Sequence, residues 1–317
     1  MSSKSNDQGR AYEYICLHSL QDAISAIRKS QIIHNSSYGA AEHAWNTLSV
    51  AEKALYTLSA KSTIDTIFAL EPKIVEIDND TLNLYIQSDE HGEEADVRDI
   101  IIDRKDIVWE IGLSIKHNHM AVKHSRLAKS LDFGQKWYGI NCSEEYWNAV
   151  KPTFDFLEAQ KANGGYFRDL TSKEDDVYVP LLNAFMQEVK TQVENNADVP
   201  RKLVKYLLSK YDFYKVISID NKRITTIQSF NIYGTLNQPS KVQKPSLEVP
   251  AMELPETLLY MDFKPKSKTT VIMSFDNGWQ FAFRIHNAKD TIELSLKFDI
   301  QIVGMPPAVN ITFNCRW

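Results

Sequence analysis

The feature that most constrains the fold of this chain is a pair of apolar segments separated by a short polar turn. DVRDIIID (96–103) and DIVWEIGLSIK (106–116) predict the two strands of a β-hairpin. The second run is apolar along most of its length, as expected of a buried strand, yet it continues into Lys116 and His117. The hairpin therefore brings polar chemistry to the end of a core strand.

The remaining elements predict a mixed fold. Helical spacing predicts helices at 7–29, at about 36–48 and at 119–137. The capping box Ser49-x-x-Glu52 predicts that another helix starts at Ser49. Residues 143–210 are predicted to be helical with breaks. Strands are predicted at 81–88, 212–234 and across 257–317, with a turn at 276–278. The expected fold class is α/β (α+β), a mixed central sheet flanked by helices, with a β-rich C-terminal portion.

A proline-rich stretch suggests the domain organisation. NQPSKVQKPSLEVPAMELPE (237–256) contains four prolines and predicts a linker or a surface wrap. We therefore expect a core with helical insertions at 1–236 and a β-rich C-terminal subdomain at 257–317 that packs on the core.

Composition limits the function classes. The chain has 317 residues, 43% hydrophobic and 24% charged, and a formal net charge of -5, so any nucleic-acid contact must depend on local basic patches. Three scattered cysteines fit a reducing cytoplasm, and no Cys-x-x-Cys pair suggests a structural zinc site. The chain lacks a membrane-length apolar run and MSSKSNDQGR lacks a signal-like apolar region, so we expect a cytoplasmic protein without membrane association.

Strand alternation groups the polar residues of the hairpin. Gly112, Ser114 and Lys116 share one face of the second strand. A turn centred on Lys105-Asp106 places Asp99 opposite Gly112 and so on the same face, where the glycine leaves room for a ligand or backbone. An acid and a lysine on neighbouring strands are typical of a metal-dependent phosphodiesterase. Asp99 would hold the metal that activates a water, and Lys116 would orient that water or stabilise charge.

These residues carry a family resemblance. Asp99-x14-Ser114-x-Lys116 resembles a variant of the PD-(D/E)xK nuclease motif, with Arg98 at the proline position and Ser114 at the second acid. DQGRAYEYICLHSL, RDIIIDRKDIVWEIGLSIKHNHMAVKHSRL and FRIHNAKDTIELSLKFDIQIVGMPP, spread over residues 7 to 307, resemble the HaeIII family of type II restriction endonucleases. The resemblance implies a nuclease core, magnesium as cofactor and cleavage of double-stranded DNA at 5′-GGCC-3′.

The serine at the acid position implies that another carboxylate is recruited. In the superfamily the first core helix often opens with a glycine, an aromatic residue and a glutamate, matched here by Gly9, Tyr12 and Glu13. Glu13 is therefore the candidate second metal ligand. Glu52 is explained by its capping box, and Glu110 lies nearer the turn.

Two further groups are candidates for DNA contact. The densest basic segment supplies Asn118, His119, Lys123, His124, Arg126 and Lys129 for phosphate binding. Arg284, His286 and Asn287, with Lys297 nearby, offer groups for reading bases in the major groove. Aromatic residues near them, such as Phe281 and Phe283, are predicted to belong to the core. A palindromic site favours a homodimer, at least on DNA, because two half-sites match two identical subunits.

Three alternatives remain open from the residues. Asp99 and Lys116 could form only a cross-strand ion pair. His117, His119 and His124 could serve a different metal-dependent hydrolase. The serine could mark a DNA-binding protein that keeps a nuclease fold without activity.

Overall fold

The computed structural model describes residues 4–88, 96–118 and 123–317. The chain forms two compact units. The first comprises Met1–Met120, Ser209–Met252 and Pro307–Trp317, and the second comprises Ala121–Leu208 and Glu253–Pro306.

The helices of the described residues follow in chain order. They are α1 (Lys4–Ser25), α2 (Ser36–Thr47), α3 (Val50–Lys61), α4 (Ile64–Leu70), α5 (Phe133–Tyr138), α6 (Glu144–Ala162), α7 (Val179–Asn195), α8 (Val199–Leu208) and α9 (Pro307–Asn310). The predicted capping box is confirmed at the start of α3, where Ser49 and Glu52 bond reciprocally. No helix in this part of the chain is long and apolar enough to cross a membrane.

The strands complete a mixed α/β architecture, which confirms the predicted fold class. They are β1 (Ser30–Ile32), β2 (Leu82–Ile86), β3 (Ile100–Arg104), β4 (Trp109–His117), β5 (Lys123–Ala128), β6 (Phe213–Ile219), β7 (Ile224–Phe230), β8 (Leu258–Phe263), β9 (Thr270–Phe275), β10 (Gln280–His286), β11 (Ser295–Gly304) and β12 (Thr312–Arg316).

The first unit is built on a seven-stranded mixed sheet of described residues in the order β1-β2-β3-β4-β6-β7-β12. The pairs β1/β2 and β4/β6 are parallel, and the other pairs are antiparallel. Helix α1 packs on one face, where Tyr12 and Leu17 join a core cluster with Leu113 and Ile115 of β4. Since neighbouring strand residues alternate sides, Ser114 and Lys116 lie on the other face.

The predicted register of the hairpin is wrong by two residues. Ile101, not Asp99, pairs with Gly112. The reason is a turn centred one residue later than expected, containing a short 3-10 segment at Lys105–Ile107 and a left-handed Val108 with φ 51°. Because the side-chain period of a strand is two, this shift keeps Asp99 on the predicted face and moves it opposite Ser114.

The second unit contains a five-stranded antiparallel sheet in the order β5-β11-β10-β9-β8. The helix predicted at 119–137 is wrong. Residues Lys123–Ala128 form an edge strand paired with β11, and from Lys123 onward the predicted range is helical only within Phe133–Tyr138. Ser125 and Leu127 are buried while Arg126 is exposed, so alternation along the strand and pairing with β11 outweigh the helical pattern.

The compact units differ from the predicted domain boundaries in two places. The stretch from β5 to α8 groups with the C-terminal sheet, and the final strand β12 returns to the first unit beside β7. The proline-rich stretch has neither helix nor strand, and part of it wraps the first unit. Ser246 and Leu247 donate backbone hydrogen bonds to the Ala69 carbonyl, and Val249 is buried.

A buried charge network holds the turn end of the hairpin. Arg104 is fully buried and donates to Glu76 at 2.6 Å and to Asp80 at 2.8 and 2.9 Å. Arg28 also pairs with Asp80. Arg104 and then Arg28 lower the pKa of Asp80 to about 2. Removing one partner would leave an uncompensated buried charge, which is strongly destabilising.

A second buried carboxylate anchors the wrapping segment. Glu71 is fully buried, and its Oε1 accepts from the Tyr214 hydroxyl and from the backbone N–H of Asn237, both at 2.6 Å. Burial raises the pKa of Glu71 to about 7. The folded state therefore binds this proton more tightly than the unfolded chain. The corresponding stability is fully present below about pH 4.5 and is lost as pH rises through about 7.

We expect Glu71→Gln to remove a pH-dependent term of about 3 kcal/mol from the free energy of unfolding. The neutral amide keeps an acceptor for Tyr214 without the cost of a buried charge, so the variant should be more stable than the wild type at pH 8 and similar at pH 5. Urea unfolding at both pH values measures this, with the exposed Glu248→Gln as control. If the free energy of unfolding changed equally with pH in the wild type and both variants, this prediction would be contradicted.

Candidate active site

The structure brings Asp99, Ser114 and Lys116 together at the end of the β3–β4 pair. Oδ2 of Asp99 accepts from the Lys116 ammonium at 2.9 Å, from the backbone N–H of Ile115 at 2.6 Å and from the Ser114 hydroxyl at 3.4 Å. These three contacts all involve the same carboxylate oxygen. The Asp99 and Lys116 side chains are 24% and 26% exposed, so the pair is reachable from solvent.

The charge state of Lys116 follows from its neighbours. Burial alone would lower the pKa of the Lys116 ammonium, but the Asp99 carboxylate outweighs it and Glu13 adds to the effect, so the pKa is raised. Lys116 thus remains protonated at neutral pH. This arrangement suits orientation of a water and stabilisation of negative charge better than proton abstraction.

Gly112 accommodates a protein side chain, whereas the sequence suggested room for a ligand. A Cβ at this position would lie 2.0 Å from Cδ of Arg98. Arg98 crosses the glycine, donates to Asp96 at 2.8 Å and to Glu110 at 2.8 Å, and lies 3.9 Å from the ring centroid of Tyr211. This contact fixes the segment that leads into Asp99.

Glu13 lies on α1 and lines a polar cavity with Arg10, Ser36 and Gln87. The backbone N–H of Gln87 donates to the carbonyl of Asp99 at 2.9 Å, so the cavity adjoins the strand end that carries the candidate site. The effect of Glu13 on the pKa of Lys116 likewise places its charge within electrostatic reach.

The available oxygen donors fit a magnesium ion. Across residues 4–88, 96–118 and 123–317, no group of three or more histidine, cysteine or acidic side chains is arranged to hold a metal. Magnesium needs fewer protein ligands, because it commonly binds through one or two carboxylates and keeps waters that substrate phosphates can replace. Asp99 offers one such carboxylate, and Glu13 on α1 is the predicted second one.

The histidine cluster has a different environment. His117 Nε2 lies 2.8 Å from Asp220, and its Nδ1 lies 3.3 Å from the Tyr56 hydroxyl. His119 is outside the described residues, as is the side chain of His124. His117 therefore ties the end of β4 to the turn after β6.

One charged residue beside the site was missed from the sequence. Lys215 of β6 pairs with Ser114 and is 5% exposed. The signal was available in DFYKVISID, where a lone lysine interrupts an apolar strand. Such a residue is costly to bury and so merits a functional explanation.

Three of the predicted base-reading residues, Arg284, His286 and Lys297, share one face of the second sheet. Arg284 pairs with Asp299 and His286 pairs with Lys297, which is also the partner of Arg126. Asp299 accepts from Arg284 at 2.7 Å and lies 3.6 Å from His286. Burial is the main cause that lowers the pKa of His286. The opposite face holds fully buried aromatic residues, including Phe281 and Phe283, which confirms their prediction as core.

The other predicted DNA contacts lie in varied surroundings. Asn118 has a φ of 53° and exchanges hydrogen bonds with Asp220. Lys129 pairs with Glu158 at 2.6 Å, and Asn287 accepts from the Tyr178 hydroxyl at 2.8 Å. Lys123 lies in β5, but its side chain is outside the described residues.

Comparisons with known proteins agree over almost the whole chain. A family model described as HaeIII restriction endonuclease matches residues 9–306. Type II restriction enzyme HaeIII from Haemophilus aegyptius is 49% identical over 318 residues, covering 100% of this chain and 99% of that protein. No solved structure matches the chain.

We expect Gly112→Ala to destabilise the protein by about 1–3 kcal/mol, because the new methyl group overlaps the Arg98 side chain. Displacement of Arg98 should also disturb the segment before Asp99. Thermal unfolding measures the loss. Gly39→Ala is the control, since Gly39 is an exposed helical residue with space around it. Equal melting temperatures for both variants would show that Arg98 moves without cost.

Proposed function

The chain belongs to the HaeIII restriction endonuclease family, and we propose that it makes double-strand breaks in DNA at 5′-GGCC-3′ by magnesium-dependent hydrolysis. The observation that carries the chemical part of the proposal is the contact of Asp99 with Lys116 and Ser114 at one partly exposed strand end. The recognition sequence is what the family resemblance implies.

Asp99 and Glu13 would hold the magnesium ion. When bound there, the ion would make a coordinated water more acidic and would neutralise charge on the phosphate. Lys116, held protonated by Asp99, orients the attacking water and stabilises the charge that develops on the phosphoryl oxygens. Ser114 contributes a weak hydroxyl contact to Asp99 at the position of an acid.

The hydrolysis balances with water alone. A bond forms between the water oxygen and phosphorus while the bond from phosphorus to one sugar oxygen breaks. The water loses a proton, and the departing sugar oxygen gains one. No oxidant or reductant takes part.

Recognition of guanine is assigned to the polar face of the second sheet. Arginine donates to O6 and N7 of guanine in the major groove. Asp299 orients the guanidinium of Arg284 and so lowers the entropy lost on binding. His286, Asn287 and Lys297 would add base or phosphate contacts, and Asn118, His119, Lys123, His124, Arg126 and Lys129 would bind phosphates. A palindromic sequence fits a two-fold symmetric homodimer on DNA.

We expect Asp99→Asn to reduce cleavage of a plasmid with GGCC sites by at least about 100-fold while DNA affinity is retained, because the amide loses the negative charge that binds metal. Digestion with magnesium, and with magnesium plus chelator, measures the activity. Asp106→Asn in the exposed turn of the same hairpin is the matched control and should cut normally.

Three outcomes separate the possibilities. Full activity of Asp99→Asn would show that this site is not the active site. Full activity of Glu13→Gln would remove only Glu13 as second ligand. A wild-type protein that binds GGCC duplexes but cuts none with any divalent metal would be a DNA-binding protein on a nuclease fold.

We expect Arg284→Ala to weaken binding to a GGCC duplex by about 1–3 kcal/mol and to unrelated DNA by less, because a base contact adds discrimination. Titrations on the Asp99→Asn background avoid cleavage during the measurement. Lys244→Ala, an exposed lysine of the wrapping segment, is the control. Equal losses on both duplexes would identify Arg284 as a phosphate contact.

A further inference from the structure

Lys215 belongs to the same row of side chains as the candidate site, where a row is the set of residues that lie opposite one another on neighbouring strands of the first sheet. It pairs with Ser114 across the parallel β4/β6 ladder, and Asp99 lies on the other side of Ser114, next to the pair Ile100–Leu113. Directly opposed residues on neighbouring strands point to the same face, and strands lie about 4.8 Å apart. Three adjacent strands therefore place an acid, a hydroxyl and an ammonium side by side.

The charges of the site act on Lys215. Burial, and then repulsion from Lys116, lower the pKa of Lys215 to about 8, whereas the Asp99 carboxylate opposes this shift. Lys215 is thus close enough to sense both members of the Asp99–Lys116 pair. Lys116 and Lys215 thus stand beside two carboxylates, Asp99 and Glu13. A cation held by those carboxylates would leave the cluster with a net positive charge, which favours an anionic ligand.

The rest of the row is polar but uncharged. Lys215 pairs with Gln228, and Gln228 pairs with Thr312 of β12. The neighbours of Lys215 along β6, Val216 and Ile217, are each 1% exposed. A hydrophobic side chain at position 215 would be less costly to bury than a lysine. Such costs are commonly found at functional sites.

We propose that Lys215 is a second catalytic lysine, whose ammonium binds a nonbridging oxygen of the scissile phosphodiester and stabilises the charge of the transition state. This inference rests on the proposed function. It adds Lys215 of β6 as a residue that contacts the substrate phosphate. Lys116 orients the water on the β4 side, and Lys215 contacts the phosphate from the next strand.

The test compares single-turnover cleavage of a GGCC duplex by wild type, Lys215→Met and Lys215→Gln. Methionine matches the length of the buried side chain, and glutamine keeps a donor without charge. Lys222→Met, exposed in the turn after β6, is the control. We expect both Lys215 variants to be slower by about 100-fold, the scale for loss of one transition-state donor, with Lys222→Met unchanged.

A substrate modification separates direct contact from a structural role. Each nonbridging oxygen of the scissile phosphate is replaced in turn by sulfur. One replacement should slow the wild type, and the same replacement should slow the Lys215 variants less, because the contact is already missing. Melting temperatures and DNA affinity on the Asp99→Asn background should remain close to those of the parent proteins.

Two results would overturn the inference. One is cleavage within about twofold of wild type by either Lys215 variant. The other is slow cleavage with an unchanged sulfur effect at both oxygens, which indicates a structural role. If Asp99→Asn is inactive and Lys215→Met is active, only the catalytic role of Lys215 is rejected. If Asp99→Asn is active, the proposed active site itself is rejected.

Discussion

The carboxylate of Asp99 accepts a hydrogen bond from the backbone N–H of Ile115, and this contact joins the candidate site to the sheet. Asp99 stands immediately before β3, and its backbone pairs on both sides, donating to the Leu113 carbonyl at 2.8 Å and accepting from the Gln87 N–H at 2.9 Å. The bond to Ile115 adds a side-chain contact to this backbone pairing and fixes the carboxylate at the start of β3. Lys116 and Ser114 then meet the same oxygen, because alternation along β4 sends both to that face. The chemistry thus depends on strand pairing more than on any loop.

Buried arginines stabilise both ends of the β3–β4 hairpin. Arg98 precedes β3 and pairs with Asp96 and Glu110, while Arg104 ends the strand and pairs with Glu76 and Asp80. Each guanidinium has several partners, which matches its planar set of donors. Buried ion pairs add little net stability compared with apolar residues, but losing one partner is expensive. The two networks therefore resist changes of register in the hairpin more than they raise stability.

Sequence patterns predicted the hairpin, the helices around α2 and α3, and the shared face of Asp99 and Lys116. The register was wrong by two residues, but an even shift preserves the face, so the candidate site survived the error. The segment at Lys123–Ala128 was misread because its spacing fits a helix, and its strand pairing with β11 depends on residues far away in the chain. Lys215 was overlooked for the same reason, since only the parallel β4/β6 pairing places it beside Ser114.

The close approach of Arg98 to Gly112 also limits how this architecture can vary. With arginine at position 98, position 112 has no room for even a methyl group, so the two positions are energetically coupled. A larger residue at 112 becomes acceptable only if the side chain at 98 is shortened, and then Asp96 and Glu110 lose their common partner. Four positions must therefore change together or remain as they are. Such a set would appear among relatives as a correlated block, in which single substitutions are rare and intermediates are unstable.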